Sequence, residues 1–112
     1  MSQITTHVLD TSEGKPAEGI KIELQKRSGI NWEILGEGIT NSDGRIADLL
    51  EQGEALGRGV YRMHFHTSAY FQGLGIKSFY PEVSIVFETF DQGHYHVPLL
   101  LNPFGYSTYR GS

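Results

Sequence analysis

The strongest constraint on this chain is a period-two alternation of apolar and polar residues that recurs along its length. Successive side chains of an extended strand point to opposite faces, so such alternation encodes half-buried β-strands. Ile20-Lys-Ile22-Glu-Leu24 places Ile20, Ile22 and Leu24 on one face. Tyr61, Met63 and Phe65 form a second apolar face, and Val83, Ile85 and Phe87 a third. Tyr95, Val97, Leu99 and Leu101 form a fourth. Further strands are expected at Ile4–Leu9 and around Trp32–Gly36.

Turn residues separate these runs: Glu13-Gly14-Lys15-Pro16, Ser28-Gly29 and Ser42-Asp43-Gly44. Asn102-Pro103 and Gly105 fold the last two strands into a hairpin. Several short strands at regular spacing predict an all-β sandwich. One short helix is expected over Thr67–Gly73, with the Thr67 hydroxyl as N-cap and Gly73 closing it. The apolar spacing in Asp48–Leu56 allows a helical turn but is brief.

With 112 residues the chain makes one domain, 1–112. It has no cysteine, which excludes a disulfide scaffold, thiolate zinc sites and a Cys nucleophile. A net charge of −4 and no basic stripe argue against a nucleic acid partner. No apolar run reaches the roughly 18 residues that span a bilayer, and no basic, apolar leader opens the chain. The expectation is a cytoplasmic protein without membrane contact.

Strand parity places the histidines. If Tyr95 and Val97 face the core, His94 and His96 face away from it, and His64 and His66 point outward with Arg62. His7, opposite in parity to Ile4 and Val8, also points outward. Three readings fit outward imidazoles. They are solvated surface residues, the default for His64 and His66, or ligands of a His-x-His metal site, or acid–base groups working at neutral pH. No carboxylate stands at ligand spacing in the sequence around these pairs, so the expectation is no metal. Arg45, after the Asn41-Ser-Asp-Gly44 turn, either simply follows the turn or aims a planar fork at a carbonyl or anion. Ser112 has no Gly-x-Ser-x-Gly nucleophile elbow, and Ser107 reads as a strand residue. The end of the chain, Phe104-Gly-Tyr-Ser-Thr-Tyr109 followed by Arg110-Gly111-Ser112, is aromatic and β-prone. Terminal residues are more often polar and replaceable, so this segment is read either as an edge strand or as a wall of an active site.

Four stretches carry a family resemblance. They are His7-Val-Leu-Asp-Thr with Gly14-Lys-Pro-Ala17, Thr40-Asn-Ser-Asp-Gly-Arg45, Phe79-Tyr-Pro-Glu-Val83, and His94-Tyr-His-Val-Pro-Leu-Leu-Leu through Tyr109-Arg-Gly-Ser112. On these the chain resembles the 5-hydroxyisourate hydrolases, transthyretin-like enzymes of urate degradation. Transthyretin, a hormone carrier of the same fold, shares the Gly-x-Pro-Ala turn and the Tyr-Ser-Thr hairpin but lacks the terminal Tyr-Arg-Gly-Ser. Asn102 departs from the Ser that the family more often carries there.

The resemblance implies a transthyretin-like sandwich of two four-stranded sheets and a homotetramer with active sites in a channel between dimers. The edges expected to pair in the dimer are Val83–Phe90 and Gly105–Ser112. It implies a catalytic set of His7, Arg45, His96 and Ser112, with Tyr109 and Arg110 contacting substrate beside His7 and Arg45. It also implies hydrolytic opening of 5-hydroxyisourate to 2-oxo-4-hydroxy-4-carboxy-5-ureidoimidazoline, with no cofactor. A non-catalytic small-ligand carrier and a metal-dependent enzyme are the alternatives.

Overall fold

A computed structural model describes residues 3–46, 49–50 and 56–111. Among them run β1 (Ile4–Asp10), β2 (Lys15–Pro16), β3 (Lys21–Ser28), β4 (Asn31–Ile39), β5 (Gly59–His66), α1 (Thr67–Gly73), β6 (Val83–Thr89), β7 (Tyr95–Asn102) and β8 (Gly105–Thr108). They form two four-stranded sheets, ordered β2-β1-β7-β8 and β4-β3-β5-β6. The expected sandwich is thus present, and the alternation explains it. Ile20, Ile22, Leu24, Tyr61, Met63, Phe65 and Leu99 are all at 0% exposure, and Val83, Tyr95 and Leu101 are within 3% of it. Each large apolar side chain so buried contributes about 1.5–3 kcal/mol.

Local elements extend beyond the sequence expectation. The first strand runs to Asp10, and the one around Trp32 spans Asn31–Ile39. Lys15–Pro16, expected within a turn, pairs antiparallel with Leu9 and Asp10 as a two-residue edge strand. Asp10 is fully buried because its carboxylate is fully used. Its Oδ1 accepts from the Ser12 and Glu13 amides and the Ser12 hydroxyl, and its Oδ2 accepts from the Tyr70 hydroxyl at 2.6 Å. Burial pushes this carboxyl up, but those donors outweigh it and hold it below the usual range. The contact ties β1 to α1.

The helix appears where expected, but its ends are made differently. His66 is the N-cap and offers no side-chain bond, and Gly73 is the last helical residue. Thr67 is fully buried inside the first turn, and its hydroxyl donates to the Tyr80 carbonyl at 3.3 Å. The Ser68 amide donates to the Pro81 carbonyl at 3.0 Å. The segment returning to β6 therefore does the work expected of a capping hydroxyl. The chain turns away at Gly75, with φ 70°. Most of Asp48–Leu56 lies outside the described residues; Leu49, Leu50 and Leu56 are buried in the core.

The decisive pairing for function is parallel and non-local. β1 lies beside β7 with Thr5 opposite His96 and His7 opposite Pro98. Neighbours across a parallel pair share a face, so the outward residues of both strands meet on one surface.

Candidate active site

That surface carries Thr5 and His7 from β1, His96 from the start of β7, and His94 from just before it. The Thr5 hydroxyl lies 2.8 Å from His96 Nδ1 and 3.1 Å from His94 Nε2. The His94 and His96 rings run nearly parallel, 6.5 Å apart. His7 and His96 are half-buried and His94 is exposed, in agreement with the outward parity.

Arg45 is delivered by a loop. The Asn41 carboxamide accepts from the Asp43 and Arg45 amides at 2.9 and 3.1 Å, and the Asn41 amide donates to the Arg45 carbonyl at 2.8 Å. Arg45 then forms a bridge with His7, and the Val8 amide donates to the Gly44 carbonyl at 2.9 Å. Gly44 is required at this crossing. Its φ is 73°, and a Cβ there would stand 2.4 Å from the Val8 carbonyl and 3.3 Å from His7 Cδ2. The side chain of Arg45 remains exposed. Among the described residues it forms no ion pair.

The electrostatics follow from this assembly. Burial lowers the basicity of His96, and the charges of Arg45, His7 and His94 lower it further. Burial and then Arg45 do the same to His7, although the Asp43 backbone and carboxylate pull the other way. Both imidazoles are therefore kept neutral at neutral pH, the state in which a ring nitrogen can take a proton.

The final segment reaches the same histidine. The Gly111 amide donates to the His96 carbonyl at 2.8 Å. A Cβ at Gly111 would fall 2.6 Å from His96 Cδ2, so the tail lies flat on the ring's flank. Arg110 stacks its guanidinium 4.4 Å from the centre of the Tyr95 ring. The Tyr95 hydroxyl donates to Asp91 Oδ1 at 3.0 Å and accepts from the Phe90 amide at 2.8 Å. Tyr109 and Arg110 line a 260 Å³ cleft with Phe87, Phe90, Tyr95 and His96. His7 and Arg45 do not line it, so His96 is the wall between cleft and histidine face. Ser112 lies outside the described residues.

Of the residues singled out in the sequence, His7, Arg45 and His96 come together, and Tyr109 and Arg110 stand on the far side of His96. Thr5 and His94 complete the cluster without having been assigned a role. The signal for Thr5 was its parity, which it shares with His7.

The other sheet has its own polar face. His64 is more covered than a solvated surface residue, with a side-chain exposure of 13%. Its Nδ1 meets the Ser84 hydroxyl at 2.6 Å, and its ring packs edge-on against His66 at 4.7 Å. Carboxylates absent from the local sequence arrive from other segments: Glu82 lies 3.6 Å from His64 and Glu23 lies 3.5 Å from His66. Among the described residues no three or more His, Asp or Glu side chains are grouped to hold a metal ion.

The class so defined is a two-sheet β-sandwich with two half-buried imidazoles of lowered basicity and an exposed guanidinium gathered on an outer face. The HIUase/Transthyretin family model matches residues 4–111. The chain belongs to that family. It is 45% identical to 5-hydroxyisourate hydrolase 2 of Rhizobium meliloti, over 98% of this chain and 96% of that one. It is also 45% identical to the 5-hydroxyisourate hydrolase of Deinococcus radiodurans, over 97% and 95% of the two chains. Among solved structures, Klebsiella pneumoniae 5-hydroxyisourate hydrolase aligns with a TM-score of 0.84 at 38% identity, covering 97% of this chain and 98% of that one. Sea bream transthyretin in complex with thyroxine aligns with a TM-score of 0.90 at 29% identity, over 98% and 95%. Backbone likeness does not separate hydrolase from carrier here; sequence identity is higher to the hydrolases, at 45% and 38% against 29%.

Proposed function

We propose that this protein hydrolyses 5-hydroxyisourate, opening its cyclic amide to give 2-oxo-4-hydroxy-4-carboxy-5-ureidoimidazoline. The observation that carries this is the meeting of His7, His96 and Arg45 on one sheet face with both imidazoles biased to the neutral form. Relatives at 45% identity bearing the name of that hydrolase support the substrate.

Amide hydrolysis needs an activated water, stabilisation of the tetrahedral oxyanion, and a proton for the leaving nitrogen. His7 and His96 are the groups available for the proton transfers. The Arg45 fork orients a substrate carbonyl and meets the charge that develops on it. Tyr109 and Arg110 close the site beyond His96, and Ser112 holds the water or an imidazole. No cofactor enters these steps.

The site lies on an outer sheet face, where bulk water would weaken every electrostatic contact. A second copy covering that face excludes it, so the working form is a homotetramer built by pairing the β6 and β8 edges and stacking the β2-β1-β7-β8 faces. No helix among the described residues is long and apolar enough to cross a membrane. The location proposed for the reaction is the cytoplasm.

The test is direct. 5-Hydroxyisourate is generated from urate, and its absorbance decay is followed with and without the protein. Accelerated decay is expected. Decay at the spontaneous rate, together with tight binding of a small aromatic ligand, would instead establish a carrier.

A further inference from the structure

The Thr5 hydroxyl sits between two histidines that it serves unequally. It has one proton and two lone pairs, and both of its partners are ring nitrogens: His96 Nδ1 at 2.8 Å and His94 Nε2 at 3.1 Å. A neutral imidazole carries one proton. If Thr5 donates to His96, that ring must carry its proton on Nε2. If Thr5 donates to His94, it is free to accept from His96 Nδ1–H, and His96 Nε2 then keeps a lone pair. The direction of one short hydrogen-bond chain thus decides whether His96 is an acceptor or a donor at its other nitrogen. Among the described residues, Nε2 of His96 makes no hydrogen bond.

One observation and the role proposed for His96 set the direction. His94 is exposed, so its Nδ1 is served by water whichever proton it carries. His96 is half-buried and under the positive field of Arg45, with His7 and His94 the other titratable groups acting on it. With Nδ1 engaged by Thr5, His96 can accept a proton only at Nε2, and a neutral ring does so only when its N–H stands on Nδ1, toward Thr5.

We infer that Thr5 is a positioning residue that holds His96 in the Nδ1–H tautomer, with His94 Nε2 as the acceptor that fixes the Thr5 hydroxyl. This deepens the hydrolase assignment and rests on it for its catalytic consequence. His96 Nε2 takes a proton from water as the water oxygen bonds to the amide carbon, and the carbonyl electron pair moves onto its oxygen. The resulting imidazolium keeps its Nδ1–H on Thr5. Collapse of the oxyanion breaks the C–N bond, and the Nε2 proton goes to the leaving nitrogen. His96 returns to its starting tautomer with no proton gained or lost.

The experiment uses Thr5→Val, which keeps the β-branched shape and removes the hydroxyl, and Thr5→Ser, which restores it. Nitrogen NMR of the histidine rings in the full chain reads the tautomer, and steady-state turnover of 5-hydroxyisourate reads the consequence. In the parent protein, His96 is expected to show a protonated Nδ1 and an unprotonated Nε2. Thr5→Val should reverse or mix these signals and lower kcat by about 10-fold or more with KM little changed, since a mispositioned base is lost from the transition state. Thr5→Ser should recover most of both. An Nε2–H signature in the parent overturns the inference, as does a Thr5→Val protein with parental kcat and parental ring signals. If the parent does not turn over 5-hydroxyisourate, the hydrolase assignment falls, and the NMR arm still decides the tautomer.

Discussion

At the residue scale, the three outward histidines of the β1–β7 face differ from the pair on the opposite sheet in what surrounds them. His7 and His96 stand near the Arg45 guanidinium, whereas His64 and His66 stand near carboxylates. His7→Ala and His96→Ala should each lower turnover by about 10²–10⁴-fold while leaving the fold intact, since neither side chain fills the core. His64→Ala should leave turnover near the parent's and cost stability only about 0.5–1.5 kcal/mol, the worth of its bond to Ser84. Steady-state kinetics and thermal unfolding on the three variants check this. Gly111→Ala is a sharper probe, because its added methyl would overlap His96 Cδ2 at 2.6 Å. Turnover should fall with little change in melting temperature. Equal turnover in Gly111→Ala and the parent would show that the tail does not set the ring's position.

The depressed basicity of His7 and His96 fixes a pH dependence at the same scale. A histidine ordinarily titrates near 6.5. With both held lower, the acidic limb of kcat/KM should lie below about 6.5, because the neutral bases persist into more acidic solution. The same shift weakens the fold in acid. As pH falls through about 6.5, the unfolded chain takes up protons that folded His7, His64 and His96 resist, so the melting temperature should decline across that window. A pH–rate profile and a set of melting curves measure both.

At the element scale, the last strand and the tail after it divide their labour. β8 pairs with β7 through Leu99↔Thr108 to Asn102↔Gly105 and so completes the sheet. Beyond it, the tail touches the sheet through the Gly111–His96 bond and the Arg110–Tyr95 stack. Such contacts contribute about 0.5–1.5 kcal/mol each, so the segment is thermodynamically minor. Deleting Tyr109–Ser112 should abolish hydrolysis and lower the melting temperature only slightly. Paired calorimetry and turnover distinguish this from an edge strand that merely stabilises, in which case both quantities would fall together.

At the scale of the whole molecule, exposed aromatics gather where the sheets end: Phe79, Tyr80 and Tyr106 around the β8 hairpin, and Phe90 and Tyr109 beside β6 and β8. Such surface is costly in a monomer and ordinary beneath a partner. Sedimentation or light scattering should give a mass four times the 12.5 kDa of the chain, and dilution to monomer should reduce turnover. A monomer with full activity would remove the need for a covered face.

Much of this protein was legible from alternation alone. Ile22, Met63, Val97 and their like had to face inward because the period of a strand is two, and His7 and His96 had to face outward for the same reason. The resemblance named the site residues but could not supply their contacts. Those contacts are long-range: Thr5 meets His96 across 91 positions, and only the parallel pairing of β1 with β7 brings them together. The Asn41 turn was recognisable, but not that Gly44 would cross β1 and deliver Arg45 to His7. Nor could local spacing show the carboxylates reaching His64 and His66, or Tyr80 and Pro81 doing the work of a helix cap. Side-chain parity is a local property of an extended backbone, so the sequence alone determined which way each residue points. Which strands lie side by side depends on closing one shared core, so the tertiary structure alone decided which residues meet.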